Sequence, residues 1–366
     1  MTAHVTGIIK NRIGFITLDR AKALNALSLD MIRALTALLR DWRQDDEVLA
    51  VAIRASTERA FCAGGDIRFF YQVGTAGLTG GSALLEDFFT EEYALNHLIH
   101  HYPKPYIAIM DGIVMGGGMG VSQGGPQSRL RIVTEKTAMA MPEVHIGLFP
   151  DVGGSYFLSR SPGKVGDWLA LTGQTVGAAD ALYADLADVA LPASTLPELL
   201  SVLESQPFAS GADVAALVHA YAAPYAAQFR PEDSMLAAKR ETIDRHFSHE
   251  KMTAIVASLE SDGGEFAQKT LVSLRRGSPL LLCVTLEQLR RGAGMTVAEC
   301  LRMERTMVRH SFEGREVLEG IRARVIEKDN APQWSPATLG EVSDAQVEQF
   351  FSPVWPDDAH PLRELY

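Results

Sequence analysis

Two carboxylates in the apolar stretch MPEVHIGLFPDVGGS (141–155), Glu143 and Asp151, are the residues of this sequence best suited to moving a proton. Met141, Ile146, Leu148 and Phe149 flank them, so both carboxyl groups are expected to lose hydration, which raises a carboxylate pKa toward neutrality. The same setting suits a pair of buried capping carboxylates, because structural networks perturb acids too. His145 lies between the two acids. A single loop histidine serves either as a base or as a packed hydrogen-bonding residue, and the second use is the commoner one.

Two glycine-rich turns offer the complementary chemistry. In AFCAGGDIR (60–68), glycines permit a tight turn and let backbone N–H groups approach a ligand; an ordinary strand-to-helix turn with Asp66 as the cap would use the same residues. In DGIVMGGGMG (111–120), three adjacent glycines precede a possible helix. Unpaired N–H groups and the positive end of the helix dipole there would suit a developing oxyanion, with a flexible loop as the alternative. No Gly-Lys-Ser/Thr follows, and the spacing is not Gly-x-Gly-x-x-Gly, which removes the P-loop and dinucleotide readings. Arg322, Arg324 and Lys328 in EGIRARVIEKD (319–329) either meet ligand phosphates or form a solvated helix face, the more frequent fate of such charges.

The elements that must hold these groups follow from periodicity. Residues 14–18 and 48–53 are β-rich runs, and between them Leu29, Ile32, Leu35, Leu38 and Trp42 recur at helical spacing behind the N-cap candidate Ser28. Strands are expected again at 105–110 and 130–133, and helices near 84–100, 155–160 and 165–171. This is an α/β layered core over the first half. From about residue 195 the chain turns alanine-rich, charged and helical, with helices expected at 214–223, 252–259, 281–291 and 297–310. The division is therefore drawn as 1–200 and 201–366. From Asn330 onward, Pro332, Trp334, Pro336, Pro353, Trp355, Pro356 and Pro361 suggest an extended wrapping tail.

With 34 basic and 45 acidic residues among 366, the formal charge of −11 disfavours nucleic acids and anionic membranes as partners. Cys62, Cys283 and Cys300 fit neither a disulfide framework nor a zinc pattern, which indicates a reducing compartment. The opening MTAHVTGIIKNR has no long apolar stretch and no apolar run reaches membrane length. A cytoplasmic location is expected.

The three sites, in this order and preceded by KALNAL (22–27), resemble the crotonase (enoyl-CoA hydratase/isomerase) superfamily from Gly14 to about Val189. The resemblance implies that the oxyanion-hole amides belong to Gly65 and Gly117. It also implies that the backbone around Lys22 and Ala23 meets the adenine and pantetheine of coenzyme A, with Lys328 a candidate for phosphate. Hydratases of the family carry one glutamate where this chain has Gly120. Their second falls on Glu143, and the family's usual glycine eight residues further on is Asp151. The stretch around these two acids is similar to the 3-hydroxyisobutyryl-CoA hydrolase branch, which uses the equivalents of both. That similarity continues through TLEQL (285–289), EGIRA (319–323), Lys328-Asp329 and PQWSP (332–336). The chain departs from the branch at Gly124-Gly125, at the insertion-like PQSR (126–129), at Val144-His145, and at Ser155 in place of a third glycine. These departures bear on acyl-group specificity more than on reaction class.

What the resemblance implies is an α/β crotonase-like spiral of ββα units with a C-terminal helical region that closes over the coenzyme A site or mediates association. The implied activity is hydrolysis of a short β-hydroxyacyl-CoA thioester such as 3-hydroxyisobutyryl-CoA, within valine or another branched-chain breakdown. Glu143 would act as base or as nucleophile, and Asp151 would position the 3-hydroxyl or aid proton transfer. An isomerase or hydratase acting through Glu143, and a non-catalytic acyl-CoA binder, are the rivals. No metal and no cofactor is expected beyond the coenzyme A of the substrate; the partner is that small molecule, with a homo-oligomer left open.

Overall fold

The computed structural model describes residues 4–77 and 82–366, and the chain packs as two compact units. The first comprises Met1–Gly65, Ala94–Ala140 and Thr175–Ala238. It opens with the hairpin of β1 (Val5–Lys10) and β2 (Ile13–Leu18), turned through Asn11 and Arg12 at φ 49° and 62°, the paired left-handed conformation that matches strand twist. β3 (Ala50–Ala55), β4 (Ala60–Cys62), β5 (Tyr106–Met110), β6 (Ile113–Met115), β7 (Arg129–Val133), β8 (Ala138–Ala140) and β9 (Val189–Ala190) follow. Six strands form one sheet in the order β1-β2-β3-β5-β7-β9, parallel beyond the first pair, and β4-β6-β8 form a second, parallel sheet. Each of β3, β5 and β7 is followed within a few residues by a short strand of the second sheet. The chain therefore winds as a spiral, one repeat per turn, and this is the α/β crotonase-like architecture.

Local sequence explains the elements. Helix Leu29–Gln44 begins where the Ser28 hydroxyl accepts from the Met31 N–H, and it buries Met31, Ile32, Leu35, Leu39 and Trp42 at helical spacing. Phe15, Ala52, Ile107 and Ile132 bring adjacent strands into one core, covered by Leu199, Leu203, Val214 and Val218 from helices Leu196–Ser205 and Gly211–Ala222. Each of the Phe, Ile, Leu and Val side chains contributes about 1.5–3 kcal/mol on burial. A division at residue 200 falls inside Leu196–Ser205. The compact units instead each draw on three separated stretches, so part of the helical second half of the chain covers the sheet of the first unit.

Arg131, on β7, is almost fully buried, and its guanidinium donates to Asp188 Oδ1 at 2.9 Å and Oδ2 at 3.0 Å. Burial raises the Asp188 carboxyl, but the Arg131 charge and hydrogen bonds outweigh this and hold it below the usual range. A depressed folded-state pKa contributes stability that is present above the unfolded value and lost as pH falls through the folded value. Asp188→Asn is expected to destabilise by about 3 kcal/mol because it removes the two-point carboxylate partner of the buried Arg131 and leaves it only the Asp185 carboxylate, at 3.3 Å. Urea titration at neutral pH should show the loss, and the gap to the parent should close in acid below the ordinary aspartate range. A gap that persists unchanged there would refute the pairing argument.

The second unit comprises Asp66–Tyr93, Met141–Gln174 and Lys239–Tyr366 and is largely helical. Ser278 caps Pro279–Gly292, and a reciprocal Thr296/Glu299 capping box starts Val297–Glu313. Phe70, Phe88, Phe89, Tyr93 and Phe312 form an aromatic cluster with centroid separations of 4.7–6.3 Å. The tail beyond Asn330 consists of turns and irregular chain around three short helical segments, Leu339–Glu341, Asp344–Gln349 and Asp357–Ala359. Among the described residues no helix is long and apolar enough to cross a membrane.

Candidate active site

In the first unit the sequence KALNAL folds into a turn, Ala21–Ala23, followed by Leu24 and Asn25 in the left-handed region at φ 53° and 56°. Asn25 tolerates that conformation and secures it. Its side chain accepts from the Arg20 N–H at 2.8 Å and donates to the Ala60 and Phe61 carbonyls at 2.9 and 3.2 Å. The Leu27 N–H then donates to the Gly64 carbonyl and the Ala63 N–H to the Leu24 carbonyl, at 2.8 and 3.0 Å. The Lys22/Ala23 turn and the first glycine turn are thus brought together.

The second glycine turn joins them. Gly64, at φ 105°, approaches so closely that a Cβ there would stand 3.3 Å from the Met115 oxygen and 3.6 Å from the Gly117 nitrogen. Gly117 opens the short helix Gly117–Gly120, where the first N–H groups have no carbonyl a turn behind them. Among the described residues neither the Gly65 nor the Gly117 N–H donates a backbone hydrogen bond. Two backbone donors on adjoining turns are the arrangement that can stabilise an oxyanion.

The acids lie in the second unit. Glu143 starts the turn Glu143–Ile146, which ends at Gly147 with φ 70° and is tied by the Ser278 N–H donating to the Val144 carbonyl at 3.0 Å. Both Glu143 and Asp151 are buried. The Tyr93 hydroxyl donates to Asp151 Oδ2 at 2.7 Å, whereas Glu143 Oε2 has no hydrogen-bond partner among the described residues. Burial, and then the Asp151 charge, push the Glu143 carboxyl well above its usual range. Burial pushes Asp151 up to about 6, against the Tyr93 hydrogen bond, which favours its ionised form.

Two further carboxylates belong to the same electrostatic group. Glu92 is raised by burial and by the charges of Asp151 and Glu143, and fully buried Glu304 is pushed up to about 8 by burial, with Asp151 adding to the shift. Burial acts on all four carboxyls in the same direction, favouring the protonated form, and the negative charge of Asp151 adds to the shift of the other three.

Glu92, Tyr93 and Glu304 were not among the residues singled out from sequence. A signal for them exists: Glu304 occupies a core position of its helix, in register with Cys300, Leu301, Met307 and Val308, and Glu92 stands likewise beside Phe88 and Phe89. A carboxylate on an apolar stripe is the anomaly to look for.

Other expected residues have plainer surroundings. Asp66 is the cap of Ile67–Thr75, accepting from the Phe69 N–H at 3.2 Å. The His145 ring contacts the Ser273 carbonyl at 3.2 Å, and burial holds it below the ordinary histidine pKa, so it is a packed hydrogen-bonding residue. Arg322 is engaged by Glu319, Glu327 and Asp329. Lys328 is exposed at φ 60°, as Lys22 is exposed in its own turn. Among the described residues no cluster of three or more His, Cys, Asp or Glu side chains is arranged to hold a metal ion.

The family model described as enoyl-CoA hydratase/isomerase matches residues 13–351. The chain belongs to that family. Within it, the chain is 42% identical to the mitochondrial 3-hydroxyisobutyryl-CoA hydrolase of Gallus gallus over 345 residues, covering 94% of this chain and 88% of the relative. It is 38% identical to the protein of that name from Homo sapiens, over 95% and 88% of the two chains. Among solved structures, a carnitinyl-CoA dehydratase from Mycobacterium thermoresistibile superposes with a TM-score of 0.88 at 38% identity, covering 99% of each chain. An enoyl-CoA hydratase from Rhodobacter sphaeroides 2.4.1 gives 0.83 at 37%, covering 96% of this chain and 98% of that one.

Both comparisons support the family's spiral fold, while the names divide between hydrolysis and addition or removal of water. The expected cytoplasmic location is contradicted, since these curated relatives are named as mitochondrial. Free thiols at Cys62, Cys283 and Cys300 and an acidic balance suit any reducing compartment and do not single one out.

Proposed function

We propose that this member of the family hydrolyses 3-hydroxyisobutyryl-CoA, or a short β-hydroxyacyl-CoA like it, to the free acid and coenzyme A. The observation that carries the reading is the buried, electrically coupled pair of Glu143 and Asp151, in a chain that has Gly120 where the family's hydratases carry their other glutamate. The curated relatives named as hydrolases of this thioester, matched over nearly the whole chain, support it.

In this reading the Gly65 and Gly117 amides hold the thioester oxygen as it gains negative charge. Glu143, with one oxygen unpartnered, either takes a proton from water or attacks the carbonyl carbon to give a mixed anhydride that water then opens. Asp151, ionised and steadied by Tyr93, accepts the hydrogen bond of the substrate's 3-hydroxyl or aids proton transfer. The backbone at Lys22 and Ala23 meets the adenine and pantetheine, and Lys328 a phosphate. Coenzyme A enters as part of the substrate, and no further cofactor is required by this chemistry.

Release of free thiol from 3-hydroxyisobutyryl-CoA tests the proposal. The two structural neighbours titled as dehydratase and hydratase motivate the second reading, water addition to an enoyl-CoA through Glu143 with Asp151 as the other acid. Loss of enoyl absorbance without thiol release would establish that reading and remove the first.

Tyr93→Phe should move the acid limb of the hydrolysis profile. Asp151 would lose the hydroxyl donor that favours its charged form, so it would titrate above about 6 and the limb would shift to higher pH. A limb that stays in place, or moves to lower pH, would detach Asp151 from the rate.

A further inference from the structure

The loop that carries Asp151 is built around a carboxylate that the proposed chemistry does not use. Val152, at φ 53°, and Gly153, at φ 89°, are consecutive left-handed residues, and a β-branched side chain rarely adopts that conformation. Their turn sends the Gly154 N–H back to the Asp151 carbonyl at 2.7 Å and leaves the Gly153 and Ser155 N–H groups directed at one carboxyl group. That group belongs to Glu304. Its Oε2 accepts from the Gly153 N–H at 2.8 Å and its Oε1 from the Ser155 N–H at 2.9 Å, and the Ser155 hydroxyl also donates to Oε1. The adjoining residue is held from a second helix, where the Gln288 amide donates to the Pro150 carbonyl at 2.6 Å. The Ser155 hydroxyl is thus the third donor to the Glu304 carboxyl.

We propose that Glu304 is a positioning residue: by accepting from the Gly153 and Ser155 N–H groups it holds Val152 left-handed and fixes the direction in which Asp151 leaves the backbone, and so sets the preference for a 3-hydroxylated acyl group. This rests on Asp151 being the partner of the 3-hydroxyl. Glutamine cannot substitute at Glu304, because an amide nitrogen would face one of the two N–H donors. The Asp151 loop then loses its reference and the hydroxyl partner is displaced.

The experiment measures kcat/KM for 3-hydroxyisobutyryl-CoA and for isobutyryl-CoA, which lacks the hydroxyl, in the full-length parent and in Asp151→Asn, Glu304→Gln and Ser155→Ala. Glu304→Gln is expected to abolish the hydroxyl preference to within about threefold of Asp151→Asn, chiefly through the hydroxylated substrate, with Ser155→Ala losing part of it. General damage to the fold would lower both substrates together and leave the ratio intact. A parental ratio in Glu304→Gln, alongside a lost ratio in Asp151→Asn, overturns the positioning role and leaves the proposed function standing. A parental ratio in Asp151→Asn removes the reading of Asp151 and this inference with it. If Glu304→Gln does not fold, Ser155→Ala decides, and a ratio within about twofold of the parent overturns the proposal.

Discussion

Glu143→Gln is expected to lower kcat for thiol release from 3-hydroxyisobutyryl-CoA by about 10³-fold, the scale of losing a positioned proton-transfer group, with KM changed far less. The substitution keeps volume and polarity but removes both the basicity and the nucleophilic oxygen of a buried carboxyl that has one unpartnered oxygen. Because it also removes a member of a mutually repelling set, Glu92 should titrate lower in the variant, and folding should be retained or improved. Thermal unfolding run beside the kinetics separates the two effects. Thiol release at the parental rate from a folded Glu143→Gln would eliminate this residue from the chemistry. In the parent, a single turnover in oxygen-labelled water followed by peptide mass analysis tests the covalent route: label retained in Glu143 marks an anhydride opened at the enzyme carboxyl carbon, and its absence counts against that opening.

The second large effect is expected at a residue with no functional side chain. A Cβ at Gly118 would lie 2.2 Å from the Cys62 carbonyl oxygen, and backbone cannot yield as a flexible side chain does. Gly118→Ala must therefore push the Gly117 amide away from the Gly65 turn. Displacing an oxyanion donor is expected to cost about 10²-fold in kcat. Strain in a packed interior adds a stability loss of about 1–3 kcal/mol. The measurements are kcat and the unfolding midpoint of the same preparation. A folded variant with kcat within about threefold of the parent would show that these amides do not bear the developing charge.

Much of this arrangement was legible in the sequence, for identifiable reasons. The apolar spacing behind Ser28 and the β-branched runs at 48–53 and 130–133 report elements whose faces are buried locally, and those elements are present. The glycine turns and the Glu143/Asp151 loop were legible as chemistry because each needs particular residue types within a few positions. The strands of the second sheet escaped, since Ala60–Cys62, Ile113–Met115 and Ala138–Ala140 are three residues long and show no period. β1 escaped because it is an edge strand, with Ile8 and Ile9 exposed. Glu304 illustrates the deeper limit. Its oddity is local, a carboxylate on an apolar helix stripe, but its partners Gly153 and Ser155 stand some 150 residues earlier, and no spacing rule joins them.

The interleaving of the second unit has a consequence for how the protein is made. Its first stretch ends at Tyr93 and its last begins at Lys239, so 145 residues lie between them along the chain. At a synthesis rate of about 5–20 residues per second, the helix bearing Glu92 and Tyr93 leaves the ribosome about 7–30 s before the segment carrying Glu304 starts to follow. For that interval the aromatic surface of Phe88 and Phe89 lacks Phe312, its partner from the final stretch. Truncation before Phe312 is therefore expected to lower the soluble yield of the chain, checked by comparing the soluble and insoluble fractions with those of the parent.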